Sequence, residues 1–173
     1  VANFWESVVK LNNWHQHRIS ELVIKKLFGT VTGKKISILG FSFKADTNDT
    51  RESSAIPICK DLLEEGAILV IHDPKVNREQ IANELGIKEN KTLKNLTDSN
   101  RLIFEGSWFF SSCMKETFID SDAVVVLTEW EDYSQINWEE ASSLMRKPAW
   151  VFDARSIVVY EKVIKAKLNL WRI

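Results

Sequence analysis

The sequence predicts an α/β fold: a three-layer sandwich with a mostly parallel sheet, preceded by a long N-terminal helix. Three observations lead there. Short runs such as Ile36-Ser37-Ile38-Leu39, Ile68-Leu69-Val70-Ile71 and Ala123-Val124-Val125-Val126-Leu127 are almost wholly apolar, as strands covered on both faces must be. Segments with helical spacing separate these runs, and that alternation builds a parallel sheet between two helical layers. Polar or charged residues follow three of the strand ends, at Phe43-Lys44, Thr128-Glu129-Trp130 and Asp153-Arg155.

At the start, Phe4, Trp5, Val8, Val9 and Leu11, then Ile19, Leu22, Val23 and Leu27, recur three and four residues apart. This predicts one long helix over residues 3–28, stopped by Gly29. Asn12-Asn13 interrupts the apolar face, and both a bend and a continuous helix remain open there. The chain opens at Val1 already in this periodicity, with little room for a cap. It therefore reads as cut inside a longer helix and is expected to be a fragment. Two units are expected: residues 1–28 as a long helix and residues 29–173 as the α/β domain.

The first strand's apolar run, Ile36 to Phe43, ends at Lys44 and gives way to a polar loop with Asp46, Asp49, Arg51 and Glu52. Ser53 or Ser54 can cap a helix running to Glu65, which Gly66 ends. Pro57 is tolerable because it lies near the first turn. The second strand, Ile68 to Ile71, stops at Asp73-Pro74. A short helix follows from Arg78 to Leu85, ending at Gly86. Residues 88–100 are polar and poorly patterned, which predicts a loop. A short strand is expected over 101–105, a helix over Met114 to Ile119 and a buried strand over Ala123 to Leu127. Asn137 caps a helix to Met145. Trp150-Val151-Phe152 is the last core strand, closed by Asp153. A helix over Val158 to Lys167 and an edge strand over Leu170 to Ile173 complete the pattern.

Composition narrows the function classes. The 173 residues fit one domain with an extension, and 45% hydrophobic residues suffice for a core. A net charge of −1 argues against nucleic acid as the main partner, because neutralising phosphates needs a basic surplus. No apolar run approaches the ~20 residues of a membrane span, and no signal peptide is evident. Two cysteines do not make a disulfide framework, so a reducing cytoplasm is the expected compartment.

Ligands on parallel sheets bind at the carboxyl ends of strands, near a topological switch point. The three polar strand ends therefore predict one site assembled from several loops. Lys44, Arg51 and Arg155 make that site cationic, so its ligand is expected to be anionic. A strand, a charged loop and a helix N-terminus in succession is also the layout that captures phosphates.

The segment GFSFKADTNDTRES at 40–53, with HDPK at 72–75, TEW at 128–130 and FDAR at 152–155, resembles the UDP-glucose/GDP-mannose dehydrogenase family. Within it, the order and spacing are similar to the C-terminal, UDP-binding domain of the UDP-glucose 6-dehydrogenases, over nearly the whole chain. The long first motif carries the resemblance; TEW and FDAR alone are weak. TEW favours the glucose enzymes over the UDP-N-acetylmannosamine dehydrogenases.

The resemblance implies a Rossmann-like sandwich, a UDP-sugar substrate and NAD as cofactor, in a four-electron oxidation of UDP-glucose to UDP-glucuronate. It places Phe43, Lys44 and Arg155 on the UDP-sugar and Arg51 on NAD that is bound mainly by another domain. Ala154 stands where the family often has glycine, a departure that tightens the turn. The family's catalytic cysteine lies in a Gly-Gly-x-Cys segment that this chain does not contain. Cys113, in Ser111-Ser112-Cys113-Met114-Lys115-Glu116, lacks the glycines and reads as structural, and Cys59 reads as core packing. The catalytic residues are therefore expected elsewhere, and this polypeptide alone is expected to be inactive. A homodimer through the N-terminal helix is also implied.

Blander readings stand beside these. Lys44 can be a solvated strand-end lysine. Arg51 can form a local ion pair with Asp49 or Glu52, and Arg155 can pair with Asp153. Asp73, at the end of the second strand, sits where dinucleotide folds place a ribose-binding acid. No glycine-rich phosphate loop follows the first strand, so an Asp-Pro turn is the better reading. His15, His17 and His72 lack metal-ligand spacing. The tryptophans read as core and interface. A non-enzymatic nucleotide-binding α/β module remains the alternative function.

Overall fold

The computed structural model describes residues 17–90 and 106–172. Helical residues 17–26 (α1) come first. They are followed by β1 (Lys35–Leu39), α2 (Ala55–Glu64), β2 (Ile68–His72), α3 (Arg78–Leu85), β3 (Ser107–Phe110) and α4 (Met114–Phe118). Then come β4 (Ala123–Val126), α5 (Glu131–Ser134), α6 (Trp138–Leu144), β5 (Trp150–Asp153), α7 (Tyr160–Lys165) and β6 (Asn169–Arg172).

The strands form one six-stranded sheet in the order β3-β2-β1-β4-β5-β6. Every neighbouring pair is parallel. This is the strand order of a doubly wound dinucleotide-type fold. Side chains alternate between two cores. Ile36 and Ile38 of β1, Val125 of β4 and Phe152 of β5 pack with α1, α2 and α3. Leu39, Val124, Val126 and Val151 pack on the opposite face with α4, α6 and α7. Burial on both faces is why these strands read as apolar throughout, each aliphatic contributing about 1.5–3 kcal/mol. The one hydroxyl in β1, Ser37 Oγ, is buried but donates to the Thr117 carbonyl at 2.6 Å.

Local signals set the helix ends. At α3 the Asn77 side chain accepts from the Gln80 N–H while the Gln80 side chain accepts from the Asn77 N–H, and Gly86 closes the helix at φ 70°. Asn137 caps α6 by accepting from the Glu140 N–H. At α2 the two serines expected as caps divide the task. Ser54 occupies the N-cap position without making a cap bond, while Ser53 Oγ accepts the Ala55 N–H at 3.2 Å.

Other differences have physical causes. β3 lies at 107–110, where the aromatic run Trp108-Phe109-Phe110 offers no alternation to read; the strand expected over 101–105 falls outside the described residues. One-turn α5 escapes sequence reading because four residues show no periodicity. α7 is shorter than the expected 158–167. The expected helix over 3–28 is described only from residue 17, and Phe28 joins Gly29 in the left-handed conformation after it. Along α1 and the turn after it, the apolar stripe of Ile19, Val23 and Leu27 faces the domain's own core, so this part is not an open dimerisation face. His17 Nδ1 lies 2.7 Å from Asp61 Oδ2, and Ser20 Oγ donates to the same carboxylate, fastening α1 to α2.

At the end of β2, the Tyr133 hydroxyl donates to the His72 carbonyl at 3.0 Å and lies 3.0 Å from His72 Nδ1. With its proton committed, the phenol oxygen accepts from Nδ1–H, which fixes the tautomer by the network. Burial holds the His72 pKa below its ordinary value, against the opposing pull of Asp73 and Asp132. A histidine depressed in the folded state stabilises fully above its unfolded pKa of about 6.5, and that contribution falls away as pH drops towards the folded value. Urea unfolding from pH 7.5 to 5 should therefore show stability falling with pH, and His72→Phe should flatten that slope. Parallel slopes for the two proteins would refute the assignment.

Candidate functional site

The sheet order sets the carboxyl ends of β1, β4 and β5 side by side. The chain leaves β1 towards one edge and later returns to β4 towards the other, which opens a crevice between their ends. Gly40 makes the turn out of β1 at φ 94°. A Cβ there would lie 2.4 Å from Thr128 Cβ and 2.7 Å from Thr128 N, so only glycine fits this crossing. Thr128 Oγ1 in turn donates to the Ser42 carbonyl at 2.8 Å.

Asp73 is the centre of this framework. Its Oδ2 accepts from the N–H groups of Phe41 (2.7 Å) and Ser42 (3.0 Å) and from Trp130 Nε1 (3.2 Å). Its Oδ1 accepts from the N–H groups of Lys75 and Val76, both at 2.9 Å. The carboxylate thus caps its own turn, as the Asp-Pro reading expected, and also holds the ends of β1 and β4. It has no oxygen left for a ribose. Beside it, Ser42 Oγ is buried and has no hydrogen-bond partner among the described residues.

The loop after β1 is pinned to the segment around α3. Lys75 Nζ donates to the Asp46 carbonyl (3.0 Å), Gln80 Nε2 to the Asn48 carbonyl (3.1 Å) and Thr50 Oγ1 to Glu84 Oε1 (2.6 Å). Asp46 and Glu52 take left-handed conformations, at φ 65° and 59°, a strain that non-glycine residues bear only where the surroundings enforce it.

The expected site residues fall as follows. Phe43 is half-exposed and its N–H donates to the Asp49 carbonyl at 2.8 Å. Lys44 is exposed, and its ammonium makes no hydrogen bond among the described residues. Arg51 does form the local ion pair, with Asp49 and not Glu52: its Nη2 lies 2.7 Å from Asp49 Oδ2 and its side chain is 86% exposed. Arg155 does not pair with Asp153 through its side chain. Only its backbone N–H reaches that carboxylate, while Nε donates to the Leu127 carbonyl at 2.7 Å and lies 3.5 Å from Glu129 Oε2. Its Nη2 meets Ser54 Oγ at 3.3 Å. At this turn Ser156, not Ala154, is left-handed, at φ 54°.

Sheet order thus places Phe43 and Lys44 after β1 and Arg155 after β5, with β4 between the two strands, and Arg51 further along the β1 loop. Sequence reasoning missed the supports: Ser54, Glu129 and the full reach of Asp73. An acid directly after a strand end, before proline, was the one signal for the last. Chemically the arrangement suits holding an anion. Among the described residues no cluster could hold a metal. Cys59 is fully buried, and burial pushes its thiol far up. Cys113 is exposed beyond edge strand β3.

Residues 37–160 match the UDP-binding domain of the UDP-glucose/GDP-mannose dehydrogenase family. The chain belongs to that family. Among its curated relatives, the UDP-glucose 6-dehydrogenase of Caenorhabditis elegans is 40% identical over 158 residues, covering 91% of this chain and 31% of that protein. The Drosophila melanogaster UDP-glucose 6-dehydrogenase is 39% identical over 166 residues, covering 94% of this chain and 33% of that protein. The chain therefore spans about a third of the length of these family members.

The family fold is also seen in solved structures. An NDP-N-acetyl-D-galactosaminuronic acid dehydrogenase from Methanosarcina mazei Go1 superposes with a TM-score of 0.69 at 21% identity, over 95% of this chain and 30% of that one. A UDP-glucose dehydrogenase from Pyrobaculum islandicum gives 0.65 at 21% identity, over 96% and 31%.

Asp73→Asn tests the framework of this family domain. In either amide orientation the new NH2 would face at least two N–H donors, so the variant should lose about 2–4 kcal/mol in urea unfolding. A loss below about 0.5 kcal/mol would show that the carboxylate is dispensable.

Proposed function

We propose that this chain is the UDP-sugar-binding domain of an NAD-dependent UDP-glucose 6-dehydrogenase. The observation that carries the reading is the set of unsaturated donors at the strand ends. Lys44 makes no hydrogen bond among the described residues, and Arg155 is anchored through Nε, which leaves Nη1–H groups to face a ligand. A guanidinium held in this way is preorganised for a phosphate or sugar oxygen. The half-exposed ring of Phe43 supplies an apolar surface beside them. The names of the curated relatives make UDP-glucose the substrate of choice.

Arg51 is assigned to NAD. Its exposed guanidinium keeps an open edge of the right shape for a pyrophosphate. NAD, when bound, accepts the hydride. This chain's part is to bind and orient, and the catalytic cysteine is assigned to a region outside it. The complete enzyme is proposed to act as a cytoplasmic homodimer that uses its central helix.

Two measurements test this. In isothermal titration of the folded chain, UDP-glucose and UDP should both give heat, and Arg155→Ala should weaken each about tenfold, the scale of one charge-assisted contact. No heat with either ligand would overturn the reading. In the full-length enzyme, Arg51→Ala should raise KM for NAD several-fold and leave KM for UDP-glucose nearly unchanged. An unchanged KM for NAD would remove that assignment.

A further inference from the structure

We infer that Asp49 is a positioning residue that aims the Arg51 guanidinium at the cofactor; this rests on the assignment of Arg51 to NAD. Asp49 Oδ1 accepts from the Arg51 backbone N–H at 3.0 Å and from Nε–H at 2.9 Å. Its Oδ2 accepts from Nη2–H at 2.7 Å. The carboxylate therefore takes the side-on edge of the guanidinium. Of the five N–H groups of an arginine, the two on Nη1 and one on Nη2 remain, and these form the end-on fork that binds a phosphate with two parallel bonds.

The position of Asp49 does not depend on Arg51. The residues on either side of it are fastened to α3, Asn48 through Gln80 at 3.1 Å and Thr50 through Glu84 at 2.6 Å. The Asp49 carbonyl accepts the Phe43 N–H at 2.8 Å. The carboxylate is thus a fixed point on which a long, exposed side chain is oriented. The bonds from Arg51, with a smaller contribution from the charge of Lys44, hold the Asp49 carboxyl at about 2, so it stays ionised at working pH. A surface ion pair adds little stability. What it adds here is orientation: the rotamer freedom that Arg51 would lose on binding is already spent.

This separates the proposal from a structural role. Asp49→Ala keeps the carbonyl that meets Phe43, so its effect should fall on the cofactor alone. In the full-length enzyme, calorimetric affinity for NAD should weaken about fivefold in Asp49→Ala and less in Asp49→Asn, which keeps an acceptor. The melting temperature and KM for UDP-glucose should not move. Asp49→Ala combined with Arg51→Ala should be no worse than Arg51→Ala alone, since contacts that act as a unit are not additive. In the same enzyme, the Arg51 Nε–H signal in a 1H–15N spectrum should shift and exchange faster in Asp49→Ala. If Arg51→Ala leaves NAD affinity unchanged, the assignment of Arg51 fails and this inference with it. If Arg51→Ala weakens NAD but Asp49→Ala does not, or if the two effects multiply, the inference alone is overturned.

Discussion

The carboxylate of Asp73 sits where the ends of β1, β2 and the β4 loop converge, and the shape of the crevice follows from it. Where β1 and β4 diverge, the backbone N–H groups of Phe41 and Ser42 have no ladder to enter. Left unpaired and buried, each would cost about 1–3 kcal/mol. Asp73 accepts both and takes Trp130 Nε1 on the same oxygen. A buried carboxylate is itself expensive unless fully hydrogen-bonded, and five N–H donors meet that condition. Gly40 is the complementary constraint: its positive φ turns the chain so that the next two N–H groups point at Asp73.

The two arginines illustrate two ways of preparing a guanidinium. Arg155 is anchored by Nε on a strand-end carbonyl with Glu129 beside it, and it is two-thirds buried. Arg51 stands on the rim, 86% exposed, and is held side-on by one carboxylate. Burial makes the first contact electrostatically stronger and costly to disturb, whereas the second works in high dielectric and relies on geometry. The roles proposed for them, a ligand gripped at the base and a cofactor met at the rim, match that difference.

Much of the fold was legible because the central strands are mostly apolar on both faces, as strands of a parallel sheet covered by helices must be. The Gly86 end of α3 and the Asn137 cap of α6 were legible too, whereas the Asn77 cap of α3 was not read. Edge strand β3 was not, because three adjacent aromatics carry no period. The site was half legible. Arg51, Lys44 and Arg155 announce themselves as charges after strands, but their different anchoring depends on contacts far apart in the chain, such as Arg155 with Ser54, 101 residues away. The reach of Asp73 to Trp130 spans 57 residues, and no local pattern encodes it.

A division of labour follows. The framework groups spend their polar atoms within the protein: Asp73 accepts from Phe41, Ser42, Lys75, Val76 and Trp130, Thr128 donates to the Ser42 carbonyl, and the Gly40 N–H donates to the His72 carbonyl, so they set the positions of the strand ends. The rim groups are the reverse. Lys44 makes no hydrogen bond among the described residues, Phe43 exposes about half of a large ring, and Arg51 and Arg155 each keep N–H groups that meet no acceptor among the described residues. A solvated cation and an exposed aromatic contribute little to folding. The binding proposed for them would draw instead on the fixed backbone beneath them, since a contact on an already ordered loop avoids most of the ordering cost at binding. The saturation of the framework is therefore what allows the rim to remain unsaturated without leaving the loop mobile.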